Sequence, residues 1–129
     1  MAHVGVANTY GETALYLACS KGYEACVRLL LQHGANANAA NRYGQTVLHI
    51  TCSKGYEACV RLLLQHGADV GAADKVLGDT ALHHACLRDC ESCAQLLLQH
   101  GADVNVTNKT GKTALQKCRG RKGACARLL

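Results

Sequence analysis

Apolar residues recur at helical spacing in two short segments near the start of this chain. Leu15, Ala18 and Cys19 are separated by three and four positions, a spacing that places them on one face of a helix. Gly22 then interrupts the pattern. A second apolar stripe follows with the same spacing, made of Cys26, Leu29 and Leu30. The pattern predicts two short amphipathic helices, each burying its stripe.

This helix pair is part of a repeat. The stretch Cys19–Ala35 recurs without change as Cys52–Ala68, and an altered copy occupies Cys86–Ala102. The glycines that open the units are 33, 34 and 33 residues apart: Gly11, Gly44, Gly78 and Gly111. Units of this length bury their apolar faces against their neighbours and so build a solenoid.

Polar residues and glycines mark the ends of the predicted helices. Each unit opens with a residue that favours a turn: Asn8, Asn41, Asp74 or Asn108. A threonine follows two positions after the turn glycine, where its hydroxyl can cap the first helix: Thr13, Thr46, Thr80 or Thr113. The second helix ends before a glycine suited to left-handed backbone: Gly34, Gly67 or Gly101. The third unit carries one inserted residue between Asp74 and Gly78.

Two short motifs recur within these units. The first reads TALYLA, TVLHIT, TALHHA and TALQKC at residues 13–18, 46–51, 80–85 and 113–118. The second reads GADVG and GADVN at residues 67–71 and 101–105. They resemble the T-P-L-H-x-A and GADVN signatures of the ankyrin-repeat family. The resemblance implies an all-α solenoid of helix-turn-helix units joined by β-hairpin-like loops.

The resemblance covers about residues 8–129 and sets the predicted boundaries. They are an N-terminal flank (1–7), three repeats (8–40, 41–73 and 74–107) and a partial fourth repeat or C-terminal cap (108–129). The chain departs from the family pattern in having no proline, and Tyr16 and Gln116 stand where the motif has histidine. His49 and His83 do match that position, which in the family braces neighbouring repeats by hydrogen bonding.

Cysteine placement predicts reduced thiols. Seven of the nine cysteines fall on two repeated positions: Cys19, Cys52 and Cys86 on one, and Cys26, Cys59, Cys93 and Cys125 on the other. Repeated positions are set by packing, and a free cysteine behaves as a small buried apolar residue. With an odd count and no secretory signal, we expect an intracellular protein, cytoplasmic or nuclear. No apolar run is long enough to insert into a membrane.

We find no sequence motif for catalysis, so we expect no enzyme, no catalytic residue and no cofactor. The nearest candidate for a metal site is the histidine and cysteine cluster from His83 to Cys93, which contains an isolated CxxC. Three of its members, His83, Cys86 and Cys93, lie on repeated positions, and a CxxC redox site is expected beside a βαβ unit. We therefore interpret the cluster as structural and predict no metal.

The resemblance implies that the chain binds another protein with its hairpin tips and with the concave face of its first helices. The matching hairpin positions are Thr9, Tyr10, Glu12, Arg42, Tyr43, Gln45, Lys75, Val76, Leu77, Asp79, Lys109, Thr110 and Lys112. Those on the first helices are Ser20, Lys21, Ser53, Lys54, Leu87 and Arg88. Three residues precede the turn glycines and should form an apolar ladder: Tyr10, Tyr43 and Leu77.

Charge suggests the kind of partner. Cations outnumber acids around the apolar ladder, so we expect a protein partner with an acidic and apolar patch, bound by a monomer. Residues 108–129 hold seven Lys or Arg and no acid. This leaves open weak binding of anionic partners such as nucleic acid, although interleaved aromatic residues are lacking. The repeats also resemble those of SOCS-box ubiquitin-ligase receptors, so an adaptor role in ubiquitin ligation is a further alternative.

Overall fold

The computed structural model describes residues 5–118 and 123–129. Within them the chain forms eight helices and no extended strand, as the sequence predicts. They are α1 (Ala14–Lys21), α2 (Glu24–Gln32), α3 (Val47–Lys54), α4 (Glu57–Gln65), α5 (Ala81–Arg88), α6 (Glu91–Gln99), α7 (Ala114–Lys117) and α8 (Ala124–Leu128).

The helices pack in two rows. The first helices of the units, α1, α3, α5 and α7, stack in sequence, and the second helices α2, α4, α6 and α8 form a parallel stack beside them. Within the first three units the two helices also pack against each other. One continuous core of Leu, Val, Ala and Cys runs between the rows, as expected for a solenoid.

The predicted helix ends are confirmed. The Thr13 hydroxyl accepts a hydrogen bond from the Tyr16 amide at 3.1 Å, and Thr46 accepts one from the His49 amide at 3.1 Å. Thr80 and Thr113 occupy the equivalent N-cap positions. The C-cap of α1 is Gly22 and that of α3 is Gly55, both with left-handed backbone, whereas in the third unit Asp89 adopts this conformation at φ 59°.

The loops between units are short hairpins whose arms meet at single β-bridges, Ala7 with Thr13 and Ala40 with Thr46. The opening Asn or Asp of each unit holds its hairpin closed. In the second unit, the Asn41 side-chain oxygen accepts hydrogen bonds from the amides of Tyr43 and Gln45. In the third unit, the inserted residue moves this contact, and Asp74 accepts from the amides of Leu77 and Gly78 instead.

One prediction about the core is wrong. Cys26 and Leu29 are exposed and Leu30 is only partly buried, so this stripe of α2 is not covered. The buried residues of α2 are Val27 and Leu31. This stripe of α2 faces away from the second repeat. In a solenoid such a stripe is buried only where another repeat packs against that side of the helix.

Candidate functional site

The three residues of the apolar ladder lie in register on neighbouring hairpins. Tyr10, Tyr43 and Leu77 are 57%, 51% and 43% exposed. Backbone hydrogen bonds of 2.8–3.2 Å connect the hairpins. The carbonyl of each ladder residue accepts from a backbone amide of the next hairpin: Tyr10 from Arg42, Tyr43 from Lys75 and Leu77 from Lys109. Backbone groups therefore hold the hairpins together, and these three side chains remain at the surface.

Close contact between hairpins requires glycine at the turn. At Gly44 the backbone has φ 74°, and an added Cβ would lie only 2.6 Å from Cγ of Lys75 in the next hairpin. A side chain at this position would strain the left-handed backbone and collide with the neighbouring loop. The glycine thus permits the spacing that keeps Tyr43 in line with Leu77.

The hairpins and the ends of the first helices carry exposed cations. Those on the hairpins are Arg42, Lys75, Lys109 and Lys112, and those at the helix ends are Lys21, Lys54 and Arg88. Arg42 lies over the Tyr43 ring at 5.7 Å from the centroid, in cation–π geometry. Val76 is also exposed beside Leu77. Glu12 and Gln45 are partly buried, because the side-chain amides of Asn8 and Asn41 donate to them within their own hairpins.

Asp79 is the one predicted partner contact that the structure removes from the surface. It is 3% exposed. Its carboxylate accepts a hydrogen bond from the Asn108 side chain at 2.8 Å and pairs with the Lys117 ammonium at 3.3 Å. Both partners belong to the fourth unit, so Asp79 joins two repeats and is unavailable to a partner protein.

The first helices add a row of residues that the sequence prediction missed. Leu17, Ile50 and His84 occupy the same position in successive first helices, three residues before Ser20, Ser53 and Leu87. This spacing places each pair on one helix face, which was a detectable signal. Leu17 and Leu87 are exposed, and Ile50 and His84 are partly buried. An open cavity of about 350 Å³ lies here, lined by Ser53, His84, Leu87, Arg88 and Asp89.

His84, which lines this cavity, also belongs to a polar cluster between the second, third and fourth units. Its Nε2 lies 3.2 Å from the Asp74 carboxylate, and its ring lies 5.3 Å from that of His49. Burial opposes ionisation of Asp74, but hydrogen bonds from the amides of Leu77 and Gly78 and from His84 outweigh it and lower the pKa of its carboxyl.

Of the two motif histidines, His83 bonds to the next repeat, as the resemblance implied, whereas His49 bonds to the loop that ends its own repeat. His49 Nδ1 accepts a hydrogen bond from the Thr46 amide, so Nε2 carries the proton that is donated to the Ala72 carbonyl at 2.7 Å. His83 Nε2 lies 2.9 Å from the Lys112 carbonyl in the same way. Burial lowers the pKa of His49, which keeps the ring neutral.

Comparisons with known proteins agree with this architecture. A family model described as "Ankyrin repeats (3 copies)" matches residues 1–74, and one described as "Ankyrin repeat" matches residues 77–109. The chain belongs to the ankyrin-repeat family. A search of curated proteins gives no match. Ankyrin repeats are generally non-enzymatic modules for protein–protein interaction. In the part of this ankyrin chain that the structure describes, no helix has the length and apolar character needed to cross a membrane.

The cysteines of this ankyrin array are all free thiols. Cys86 and Cys93, which belong to the histidine and cysteine cluster from His83 to Cys93, are buried in the core. Within residues 5–118 and 123–129, three potential metal ligands converge only at Asp74, Asp79 and His84. Those groups are already paired with one another or with Lys117 and Asn108. This pairing accounts for the cluster without an ion.

Only part of the basic segment of the last ankyrin unit can be placed. Residues 119–122 lie outside the described residues. Lys117, one of the seven cations of residues 108–129, pairs with Asp79 and is mostly buried. The basic segment therefore provides one fewer free cation for an anionic partner than its sequence implies.

Proposed function

We propose that this ankyrin array binds a protein partner through the apolar ladder and the neighbouring face of its first helices. The observation that carries the proposal is the register of Tyr10, Tyr43 and Leu77, which are half-exposed while backbone hydrogen bonds hold their hairpins together. Aromatic side chains on a rigid scaffold are favoured anchors in interfaces because they bury much area at little entropic cost. The proposed binding surface leaves out Asp79, which is buried, and includes Leu17, Ile50 and His84 in addition to the residues predicted from sequence.

Charge defines the partner further. Seven exposed cations lie on the hairpins and first helices of the proposed face, so we expect a partner with acidic residues around an apolar centre. Complementary charge at the edge of an interface mainly accelerates association and weakens with salt. We further propose that the chain acts as a monomer inside the cell, a reducing environment that suits the many free thiols of its core.

The test is capture from a cell lysate on immobilised protein, followed by mass spectrometry. One variant carries Tyr10→Ala, Tyr43→Ala and Leu77→Ala. The control carries Leu29→Ala, Val104→Ala and Leu115→Ala, which removes three similarly exposed apolar side chains from outside the proposed face. We expect proteins rich in surface acids to be retained by wild type and control, and lost from the ladder variant. Identical proteins from all three would contradict the proposal.

Two narrower alternatives have tests of their own. Co-purification of ligase subunits with the full-length protein would indicate an adaptor role in ubiquitin ligation. Retention on random DNA with a steep dependence on salt would indicate electrostatic binding through residues 108–129.

A further inference from the structure

The third repeat differs from the first two at the start of its second helix. Tyr23 and Tyr56 are the N-cap residues of α2 and α4, and Cys90 takes this position in α6. The Cys90 backbone, at φ −91° and ψ 94°, is close to that of Tyr56 at φ −83° and ψ 82°. The exchange therefore leaves the fold unchanged and places a thiol at the N-terminus of a nine-residue helix.

The exchange also replaces a large ring by a small group. The Tyr56 ring packs over Gly22 of the preceding repeat, with ring atoms 3.1 Å from where a Gly22 Cβ would lie. Gly55 is the equivalent glycine of the second repeat. A Cβ added there would lie 3.4 Å from Nε of Arg88 and 3.8 Å from Sγ of Cys90. Cys90 is partly exposed. Arg88 and the Cys90 thiol thus both lie near Gly55, where one repeat earlier an aromatic ring lies near Gly22.

A second thiol lies next to it. Cys93 is the third residue of α6 and is buried, like Cys59 at the same position in α4. Cys90 and Cys93 lie three residues apart in the first turn of α6, a spacing that places both side chains on one face of the helix. The Ser92 hydroxyl lies 3.5 Å from the Cys90 sulfur. Cys93 is therefore a core residue of the repeat, and Cys90 gives it a thiol partner that Cys59 lacks.

The surroundings distinguish the two thiols chemically. Burial would raise the pKa of Cys90, but the polar groups of Cys93 and Ser92 around its sulfur lower it below its ordinary value. Burial, together with the neighbouring Cys90, raises the pKa of Cys93. The thiolate is the nucleophile in thiol–disulfide exchange, so Cys90 is suited to attack first and Cys93 to follow.

We propose that Cys90 and Cys93 form a redox-active dithiol that low-molecular-weight disulfides oxidise to an intramolecular disulfide. The Cys90 thiolate attacks one sulfur of the small disulfide, breaks its S–S bond and releases one thiolate. Cys93 then loses its proton to solvent, and its sulfur attacks the Cys90 sulfur of the mixed disulfide. This step forms the Cys90–Cys93 bond and releases the second thiolate. Both released thiolates take up protons, so two protein thiols are oxidised and one small disulfide is reduced to two thiols.

The exposed Cys26 offers an internal control, since it lies on the open surface of α2. If reactivity followed exposure alone, Cys26 would be modified before Cys90. Its tryptic peptide, residues 22–28, has the same sequence as residues 55–61, which contain Cys59. A Cys26→Ser variant therefore assigns any signal in that peptide to one of the two cysteines.

The experiment treats the reduced full chain with increasing oxidised glutathione and digests it with trypsin after blocking the remaining thiols. Peptide 89–109 contains Cys90 and Cys93 and no other cysteine. We expect it to lose two hydrogen atoms at glutathione levels that leave Cys26 as a thiol. Cys93→Ala should instead accumulate a glutathione mixed disulfide at Cys90. Cys90→Tyr, which restores the residue of the other repeats, should form neither product.

Two outcomes would overturn the proposal. The first is that wild-type peptide 89–109 stays reduced at glutathione levels that modify the peptide shared by residues 22–28 and 55–61. The second is that the peptide is oxidised only in denaturant, which would show that the folded pair is inaccessible. Both outcomes are read from the wild-type chain, so they do not depend on how well the variants fold.

Discussion

The first and second repeats contain the same seventeen-residue sequence, Cys19–Ala35 and Cys52–Ala68, yet they bury different residues. Helix α4 packs between α2 and α6, whereas α2 packs against α4 on one side. Leu62 is 9% exposed, and its equivalent Leu29 is 56% exposed. Because local sequence is the same, the difference must come from neighbouring repeats. In this chain, burial is a property of position in the array.

The open side of the first repeat has a defined surface. Leu17, Tyr23, Cys26 and Leu30 contribute to an apolar depression of about 410 Å³. In the second repeat, Cys59 and Leu63 of the same stripe are buried. The stripe predicted from spacing is thus a real packing face in α4 and an uncovered one in α2.

The largest expected effect comes from truncating matched leucines. Leu62→Ala should lower the free energy of unfolding by about 2 kcal/mol or more, since it leaves a cavity between packed repeats. Leu29→Ala should change it by about 0.5 kcal/mol or less, because the side chain is mostly in solvent already. Urea unfolding of both variants measures the difference. Equal losses would show that the two helices have the same environment in solution.

A smaller expected effect is a dependence of stability on pH, because the first two repeats carry different residues at the position of the motif histidine. Tyr16 accepts a hydrogen bond from Asn41, whereas His49 donates to Ala72. Burial lowers the pKa of His49 from its ordinary 6.5. As pH falls, His49 is therefore protonated in the unfolded chain before it is protonated in the folded one. The free energy of unfolding should fall as pH drops below about 6.5.

His49→Tyr, which copies the first repeat, should reduce the loss of unfolding free energy between pH 7.5 and pH 5. The lowered pKa of Asp74 affects stability only below its ordinary value of 3.8, so it does not contribute in this range. An unchanged pH dependence in this variant would show that His49 is not the titrating group.

The smallest effect should be equal in the two repeats. Glu24 pairs with Arg28 and Glu57 with Arg61, each at 3.0 Å with both side chains about half exposed. Glu24→Gln and Glu57→Gln should each cost about 0.3–0.5 kcal/mol, since such pairs are screened by solvent. Thermal unfolding at low and high salt measures both. A cost at Glu57 several times that at Glu24 would mean that the neighbouring repeat affects surface pairs as well.

Local features of the fold were predictable from sequence. The Thr caps, the left-handed glycines and the motif histidines each depend on residues within one unit or on a motif. The exposure of Cys26 and Leu29 was not predictable from spacing, because the same letters are buried one repeat later.

For the candidate site, the apolar ladder follows from its place before each turn glycine, and its exposure agrees with the prediction that it lies at the surface. The burial of Asp79 was not evident, since its partners Asn108 and Lys117 come from the next unit. Leu17, Ile50 and His84 could have been found by extending the helical spacing from Ser20, Ser53 and Leu87.

The central claim is that the apolar ladder serves a partner and does not hold the hairpins together. The most direct measurement is urea unfolding of the variant with Tyr10→Ala, Tyr43→Ala and Leu77→Ala, compared with wild type. We predict a change in unfolding free energy of about 1 kcal/mol or less, because backbone hydrogen bonds connect the hairpins. A loss of several kcal/mol would show that these side chains are structural and would contradict the claim.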